Sequence, residues 1–301
     1  MLSVKKIDLH VHTTASDGTF TPEEAVQKAA ELGLAAIAVT DHDTVEGHTA
    51  AKEAAKKLGV ELVPGIEIST KYGVAVHILG YYVHGEAPGM RALLDWIVAD
   101  RDSRNEKMCA LMEADGLPVH YAEMKERFGA VIGRPNFGQV LVELGLAGSV
   151  NDAFARFVDR GQRYYVPRTI LPIEQAVDAI VLSGGVPVLA HPFQYRKTDA
   201  ELRELITLCM DHGLCGIECR YSGYDAEKVS YLERLAEEYG LLKTGGSDFH
   251  GGNKPHIQLG TGINGELDVP CAWLTALKKA AGISPAATDC RQTPFLVIAN
   301  Q

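Results

Sequence analysis

Asp8-Leu9-His10-Val11-His12-Thr13-Thr14-Ala15-Ser16-Asp17-Gly18 is the stretch whose reading decides the fold. Val4, Ile7, Leu9 and Val11 supply the apolar positions of a strand, and side chains on a strand alternate faces with period two. His10 and His12 therefore point the same way, close enough for both imidazoles to reach one metal ion. Thr13 to Gly18 reads as the loop at the strand's C-terminal end, where Asp17 can swing a carboxylate over the same place. A lone strand histidine is ordinarily a hydrogen-bonded core residue, so the weight of this pair depends on what else the chain brings to it.

The composition is that of a globular domain with ample core material: 301 residues, 46% hydrophobic and 23% charged. No apolar run has the length of a membrane span, and the chain passes directly into its first strand, so no membrane association and a cytoplasmic location are expected. Six cysteines (Cys109, Cys209, Cys215, Cys219, Cys271, Cys290) show neither zinc-finger pairing nor a Cys-x-x-Cys motif. The expectation is reduced, mostly buried thiols. Lys plus Arg is 29 against 39 Asp plus Glu, a net charge of −10. Such a surface repels long nucleic acid. Divalent cations held in a carboxylate site would make one pocket attractive to anions, so a small phosphorylated partner remains compatible with it. No sequence feature sets the oligomeric state.

Outward from the first loop, Thr21-Pro22-Glu23-Glu24 is a helix start, with Thr as N-cap, Pro at N1 and Glu at N3. That helix stops at Gly33. Leu34–Thr40 is a short buried strand ending in Asp41-His42-Asp43-Thr44, and a second helix runs from about Val45 to Leu58. Val60–Ser69 is a third strand carrying Glu67, and Val74–Val83 a fourth containing His77. This rhythm predicts parallel strands wrapped by helices. From about 88 to 167 it breaks: a long helical pattern over Met90–Ala114, then short helices around Tyr121–Phe128, Pro135–Leu144 and Asn151–Val158, with no convincing strand. The rhythm returns at Pro172, giving strands that end at His191, at Arg220, and at Gly246-Ser247-Asp248-Phe249-His250. The expected organisation is an α/β unit of parallel strands wrapped by helices from 1–87 and 168–265, an all-helical insertion over 88–167, and a C-terminal helix and tail over 266–301.

In folds of parallel strands wrapped by helices, active groups collect at the C-terminal strand ends. His10, His12, Asp17, His42, Glu67, His77, His191, Asp248 and His250 all fall there, with Asp41 beside them. Nine imidazoles and carboxylates exceed what one ion holds. Without thiolate, the donor set suits Zn2+, Mn2+ or Fe2+. Buried at one rim with no cation, the same groups would be a costly cluster.

Taken together, the opening stretch, Thr-Asp-His-Asp-Thr (40–44), Pro-Gly-Ile-Glu-Ile-Ser (64–69), His-Ile-Leu-Gly-Tyr (77–81), Ala-His-Pro (190–192) and Gly-Ser-Asp-Phe-His (246–250) resemble the motifs of the PHP (polymerase and histidinol phosphatase) family. The likeness covers roughly residues 7–84 and 168–262, in the family's order, and the insertion resembles that of its stand-alone phosphoesterases. The resemblance implies a distorted (β/α)7 barrel with three divalent metal ions. His10, His12, Glu67 and Asp248 would hold the first ion, Glu67, His77 and His191 the second, and Asp17, His42 and His250 the third. Asp41 would orient His42 from behind.

Such a centre hydrolyses phosphoesters. The expected reaction is attack by a metal-bridging hydroxide, with Asp17, His42, Glu67 and Asp248 as the catalytic residues. Gly133-Arg134-Pro135-Asn136 resembles a Gly-Arg-Pro-His segment of these relatives, which implies substrate contacts from Arg134 and Asn136. Arg101 and Arg104 lie on one long helix and offer a second anion contact. Glu218, Arg220 and Tyr221 end a strand and are candidates to line the pocket, while Arg163, Tyr164 and Tyr165 read as packing and hinge residues. The favoured substrate is a small phosphorylated metabolite (a nucleotide, nucleoside bisphosphate or sugar phosphate), as a monoester or cyclic diester. Three alternatives stand beside it: a 5′-3′ exonuclease on short RNA, a histidinol phosphatase, and a non-catalytic, metal-stabilised accessory module.

Overall fold

The computed structural model describes residues 6–283; the end of the expected tail, with Cys290, lies outside the described residues. Strands β1 (Ile7–Val11), β2 (Ala36–Val39) and β3 (Glu61–Tyr72) are joined by helices α1 (Pro22–Glu31) and α2 (His48–Leu58). The predicted helix start is observed. Glu24 N donates to Thr21 Oγ1 at 3.2 Å, and Thr21 N donates to Glu24 Oε2 at 2.8 Å. β1, β2 and β3 are parallel and wholly or largely buried, which is why they read as apolar runs.

β4 (Val74–Tyr81) departs from the expected parallel arrangement. It turns back from β3 at Gly73 (φ 73°) and pairs antiparallel with β3 on one side and with β6 (Val186–Leu189) on the other. A period-two pattern marks a strand without giving its direction. Here the tight turn decides it, because only a residue free of Cβ strain adopts that backbone readily. The consequence is positional. An antiparallel β4 begins where its parallel neighbours end, so His77, opposite Ser69 in the register, lies at the same rim as their C-termini.

Parallel order resumes through α7 (Ile173–Leu182), β6, α8 (Asp199–Asp211), β7 (Gly216–Tyr221), α9 (Ala226–Tyr239) and β8 (Leu242–Gly246), while the two-residue β5 (Leu171–Pro172) pairs with the end of β3. The sheet runs β1-β2-β3-β4-β6-β7-β8. Its ends meet where Val11 bridges Phe249, with Asp248 N donating to His10 O at 2.8 Å and His12 N to Phe249 O at 2.9 Å. Gly246 is required at this seam, since a Cβ there would stand 2.3 Å from His10 N. The result is a nearly closed, barrel-like sheet of seven strands.

Residues 88–167 contain helix and no strand: α3 (Pro88–Ala114), α4 (Tyr121–Phe128), α5 (Arg134–Glu143) and α6 (Val150–Ala153), the last continuing as a π-helical turn over Phe154–Val158. α3 serves two cores. Met90, Leu94 and Ile97 pack with Ile173 and Ile180 beneath the barrel's outer face, whereas Met108 and Met112 join Ile132, Phe137 and Leu141 in a separate cluster. Each large apolar side chain so buried contributes about 1.5–3 kcal/mol, which ties the helices to the barrel through α3. α10 (Cys271–Ala280) packs its Leu274 and Leu277 against the cluster holding Ile7 and Ala36. Among the described residues Cys109, Cys209, Cys215 and Cys219 are free thiols. Among the described residues no helix is long and apolar enough to cross a membrane.

Candidate metal centre

Glu67, near the rim end of β3, is the hub. Its Oε2 lies 3.3 Å from His10 Nε2, 3.2 Å from His12 Nε2 and 3.2 Å from His42 Nδ1, and its Oε1 lies 2.9 Å from His77 Nδ1 and 2.8 Å from His191 Nε2. Asp248 Oδ1 sits 3.6 Å from His10 Nε2, 3.3 Å from His12 Nε2 and 3.4 Å from His250 Nδ1. Asp17 Oδ1 is 3.2 Å from His250 Nε2 and 3.7 Å from His12 Nδ1. All nine side chains singled out from the sequence thus meet at one rim, and the β-strand alternation places His10 and His12 together as expected, with Nε2 to Nε2 at 3.1 Å.

These spacings suit shared cations. Donor atoms about 2.0–2.2 Å from one ion stand about 3–3.6 Å from each other. Three subsets have ligand atoms all within 4.8 Å of one another: His10, His12, Glu67, Asp248; His42, Glu67, His77; and His12, Asp17, His42, His250. The Nδ1 atoms of His12 and His42 are buried without a hydrogen-bond partner. Buried polar atoms are rarely left so, and a divalent ion is the partner this donor chemistry fits. The grouping differs from the expected one in placing His42 with Glu67 and His77, while His191 joins through Glu67 Oε1.

The backbone is held in unusual conformations here. Three of the six non-glycine residues with positive φ among the described residues are Asp43 (57°), His191 (25°) and Asp248 (57°), all at strand ends on the rim. Such conformations cost about 1–3 kcal/mol each and persist where the surroundings over-determine them. The carboxylates are kept ionised. Burial would raise Glu67, but His42, His77 and His10 outweigh it and hold the group well below the usual range. Asp17 is likewise lowered, burial being overcome by His250, His42 and His12, and so is Asp248, where Lys254, His250, His12 and His10 outweigh burial.

Around the nine lies a shell the sequence barely announced. Glu218, wholly buried, puts Oε1 3.0 Å from His10 Nδ1 and accepts from His191 N at Oε2, 2.8 Å away. It stands behind the imidazoles instead of lining an open pocket. Tyr221 donates to Asp248 Oδ2 at 2.6 Å, and Lys254 Nζ reaches the same oxygen at 2.6 Å, which leaves Oδ1 to the imidazoles. Asp8 accepts from Ser247 N (2.8 Å), Ser247 Oγ (2.6 Å) and Gly260 N (2.7 Å), fixing the loop that carries Asp248.

The expected roles of Asp41 and Arg220 are corrected. Asp41 does not orient His42. Its oxygens accept from Thr13 N and Thr13 Oγ1 (both 2.7 Å) and Ser16 Oγ (2.6 Å), so it shapes the β1 loop that presents Asp17. Adjacent residues at a strand end point apart, which sends Asp41 to the first loop. Arg220 turns away from the centre to Glu233, 3.0 Å distant.

A cavity of about 270 Å3 opens over the rim, lined by Asp17, His42 and His77 on the barrel side and by Arg101, Arg104, Arg134 and Arg168 on the other. Arg101 pairs with buried Asp43. Arg104, from the same face of α3, is pushed down to about 9 by burial and by Arg101, Arg168 and Arg134, yet keeps its charge at neutral pH. Arg134 pairs with Asp159 at 2.8 Å and its guanidinium lies over Phe154 and Tyr165. Asn136 is not part of this lining. It is buried, and its Oδ1 accepts from Gly133 N at 2.8 Å to cap α5, a local bond that a residue three positions into a helix makes readily. Arg168 is the charged lining residue that sequence reading missed, and Tyr165 lines the cavity rather than serving only as packing. Arg163 and Tyr164 do act locally, both bonding Asp115.

The PHP domain profile matches residues 8–132. The chain is 35% identical over 247 residues to a 5′-3′ exoribonuclease of Haemophilus influenzae, covering 82% of this chain and 90% of that one. It is 32% identical over 251 residues to a 3′,5′-nucleoside bisphosphate phosphatase of Chromobacterium violaceum, covering 81% and 87%. Among solved structures, one from Bifidobacterium adolescentis described as a metal-dependent phosphoesterase superposes with a TM-score of 0.81 at 30% identity, over 93% of this chain and 98% of that one.

Proposed function

This chain belongs to the PHP domain family, a family of metal-dependent phosphoesterases, and from that premise we propose that it removes a phosphate from a small substrate that carries a second phosphate, such as a nucleoside bisphosphate. The single observation that carries the substrate reading is the cavity. One wall offers the carboxylate and imidazole donors of the rim, and the other offers four guanidiniums. One phosphate meets the rim and the other the guanidinium forks, whose planar donor geometry matches phosphate oxygens.

Three divalent ions (Mn2+, Fe2+ or Zn2+) would be the complement, held by His10, His12, Glu67 and Asp248, by Glu67, His77 and His191, and by Asp17, His42 and His250, each imidazole serving one ion. Ions so held supply hydroxide at neutral pH and offset charge on phosphate and leaving oxygens. The chain's own work is to hold that arrangement. Glu67 is the shared carboxylate, Glu218 keeps the proton of His10 on Nδ1 so that Nε2 faces the cluster, and Tyr221 with Lys254 restrict Asp248 to one free oxygen. Arg101, Arg104 and Arg168 orient the substrate, and the helices of 88–167 exclude water and bulky substrates from the rim.

A second reading, a 5′-3′ exonuclease on short RNA, is favoured by the likeness to the Haemophilus protein. A 5′-phosphorylated end would place its terminal phosphate at the guanidiniums and the next linkage at the rim. The deciding experiment is phosphate or nucleotide release from adenosine 3′,5′-bisphosphate, adenosine monophosphates and 5′-phosphorylated oligonucleotides, with and without chelator. Release from the bisphosphate alone supports the first reading. Stepwise shortening of oligonucleotides at higher kcat/KM replaces it with the second.

A further inference from the structure

Asp43 is a fully buried carboxylate that stands next to His42, and the metal centre makes no use of it. Its Oδ1 accepts from Ser69 N at 2.8 Å, which fixes it to β3. Its Oδ2 takes Arg101 Nη2 and lies 3.5 Å from Arg168 Nη1. Arg101 comes from α3, and Arg168 from the segment that returns the chain to the barrel. Asp43 is therefore where the rim, the helical insertion and its exit meet.

These bonds do not exhaust the forks. A guanidinium has five N–H donors. Arg101 Nε, Arg104 Nε and Arg168 Nη2 are buried and have no hydrogen-bond partner. Arg101 Nη1 and Arg104 Nη2 share only the Ile132 carbonyl, each at 3.3 Å. The guanidiniums of Arg101, Arg104 and Arg168 repel each other; Asp43 beneath them offsets part of that charge and sets the planes of Arg101 and Arg168, the second of which also faces Asp100 Oδ2, 3.2 Å from its Nε.

We propose that Asp43 is a positioning residue for substrate choice: by pinning Arg101 and Arg168 it aims their remaining donors at the second phosphate of the substrate. The inference rests on the two-phosphate reading above and goes beyond it by naming what tunes that subsite. A donor wall with a carboxylate behind it accepts one phosphate in one orientation. The same wall without it splays, and binds anions with less regard to where the scissile phosphate lies.

The test compares kcat/KM for adenosine 3′,5′-bisphosphate with that for the better of the two adenosine monophosphates, in wild type and Asp43→Asn, with metal content measured in both. Wild type is expected to prefer the bisphosphate. Asp43→Asn is expected to cut that preference about tenfold, mainly through KM for the bisphosphate. A merely structural Asp43 would lower both kcat/KM values alike and leave their ratio at the wild-type value, which would overturn the inference while the two-phosphate reading stood. A wild type with no preference would overturn both. Arg168→Lys keeps the charge and loses the fork. It is expected to lower the ratio in the same direction, and it decides the matter if Asp43→Asn does not fold, an unchanged ratio again counting against the inference.

Discussion

Replacing Glu218 by Gln tests the part of the site that holds the ligands in place. The carboxylate uses both oxygens, Oε1 toward His10 Nδ1 at 3.0 Å and Oε2 toward the backbone N–H of His191 at 2.8 Å, with no exposure to solvent. Both partners are donors when His10 presents Nε2 to the cluster. A glutamine has one acceptor oxygen and one donor nitrogen, so whichever way it lies, one N–H faces another. A buried donor left without an acceptor costs about 1–3 kcal/mol, a factor of roughly 5–150 in an equilibrium constant, and removal of a carboxylate behind a metal-bound imidazole typically costs 10–100-fold in metal affinity. The assay is competition between chelator-stripped protein and a chromophoric chelator for Mn2+ or Zn2+, with kcat/KM measured in parallel. Glu218→Gln should bind metal about 10–100-fold more weakly. Its stripped form should melt close to stripped wild type, because a buried charge has been removed along with the bond. Unchanged metal affinity in a folded variant would refute the reasoning.

Three further outcomes are expected. Asn136→Ala should lower stability by about 0.5–2 kcal/mol through loss of the α5 cap, read by urea unfolding, and change kcat/KM by less than about threefold, since the side chain does not line the cavity. Burial would raise Asp43, but Arg101 and Arg168 outweigh it and hold its folded value below the ordinary 3.8. Its contribution to stability is therefore present above about pH 4 and lost as pH falls through the folded value. The stability gap between wild type and Asp43→Asn should be full at pH 7 and shrink below pH 4 in paired denaturation curves. Removing metal should lower the melting temperature, because ions at about 100 times their dissociation constant stabilise the folded state by about 2.7 kcal/mol each. Calorimetry with and without chelator checks this.

Much of the fold was legible because local signals agreed. Thr21 and Glu24 announced α1, the apolar runs announced β1, β2 and β6, and the break in rhythm after residue 88 corresponds to helices without strands. The His and carboxylate residues were legible because all of them fall at strand ends, and a parallel barrel gathers strand ends. What escaped were pairings between distant residues. β4 was readable as a strand, but its antiparallel course depended on Gly73, and only that course takes His77 to the rim. Glu218 behind His10, Asp43 beneath Arg101 and Arg168, and Asp41 on Thr13 and Ser16 are buried acids whose partners lie 25 to 208 residues away, and no local pattern carries such a pairing. Asn136 misled for the opposite reason: its helix-capping role is local, while a motif likeness pointed outward to substrate.

The most direct test of the whole account is to strip the purified protein with chelator and titrate Mn2+ back while following phosphate release from adenosine 3′,5′-bisphosphate, for wild type and for Glu67→Gln. The account predicts that release vanishes on stripping, returns as several ions per chain are added, and does not return in Glu67→Gln at the same metal concentration. Release that persists in the stripped protein, or an undiminished Glu67→Gln, would contradict it.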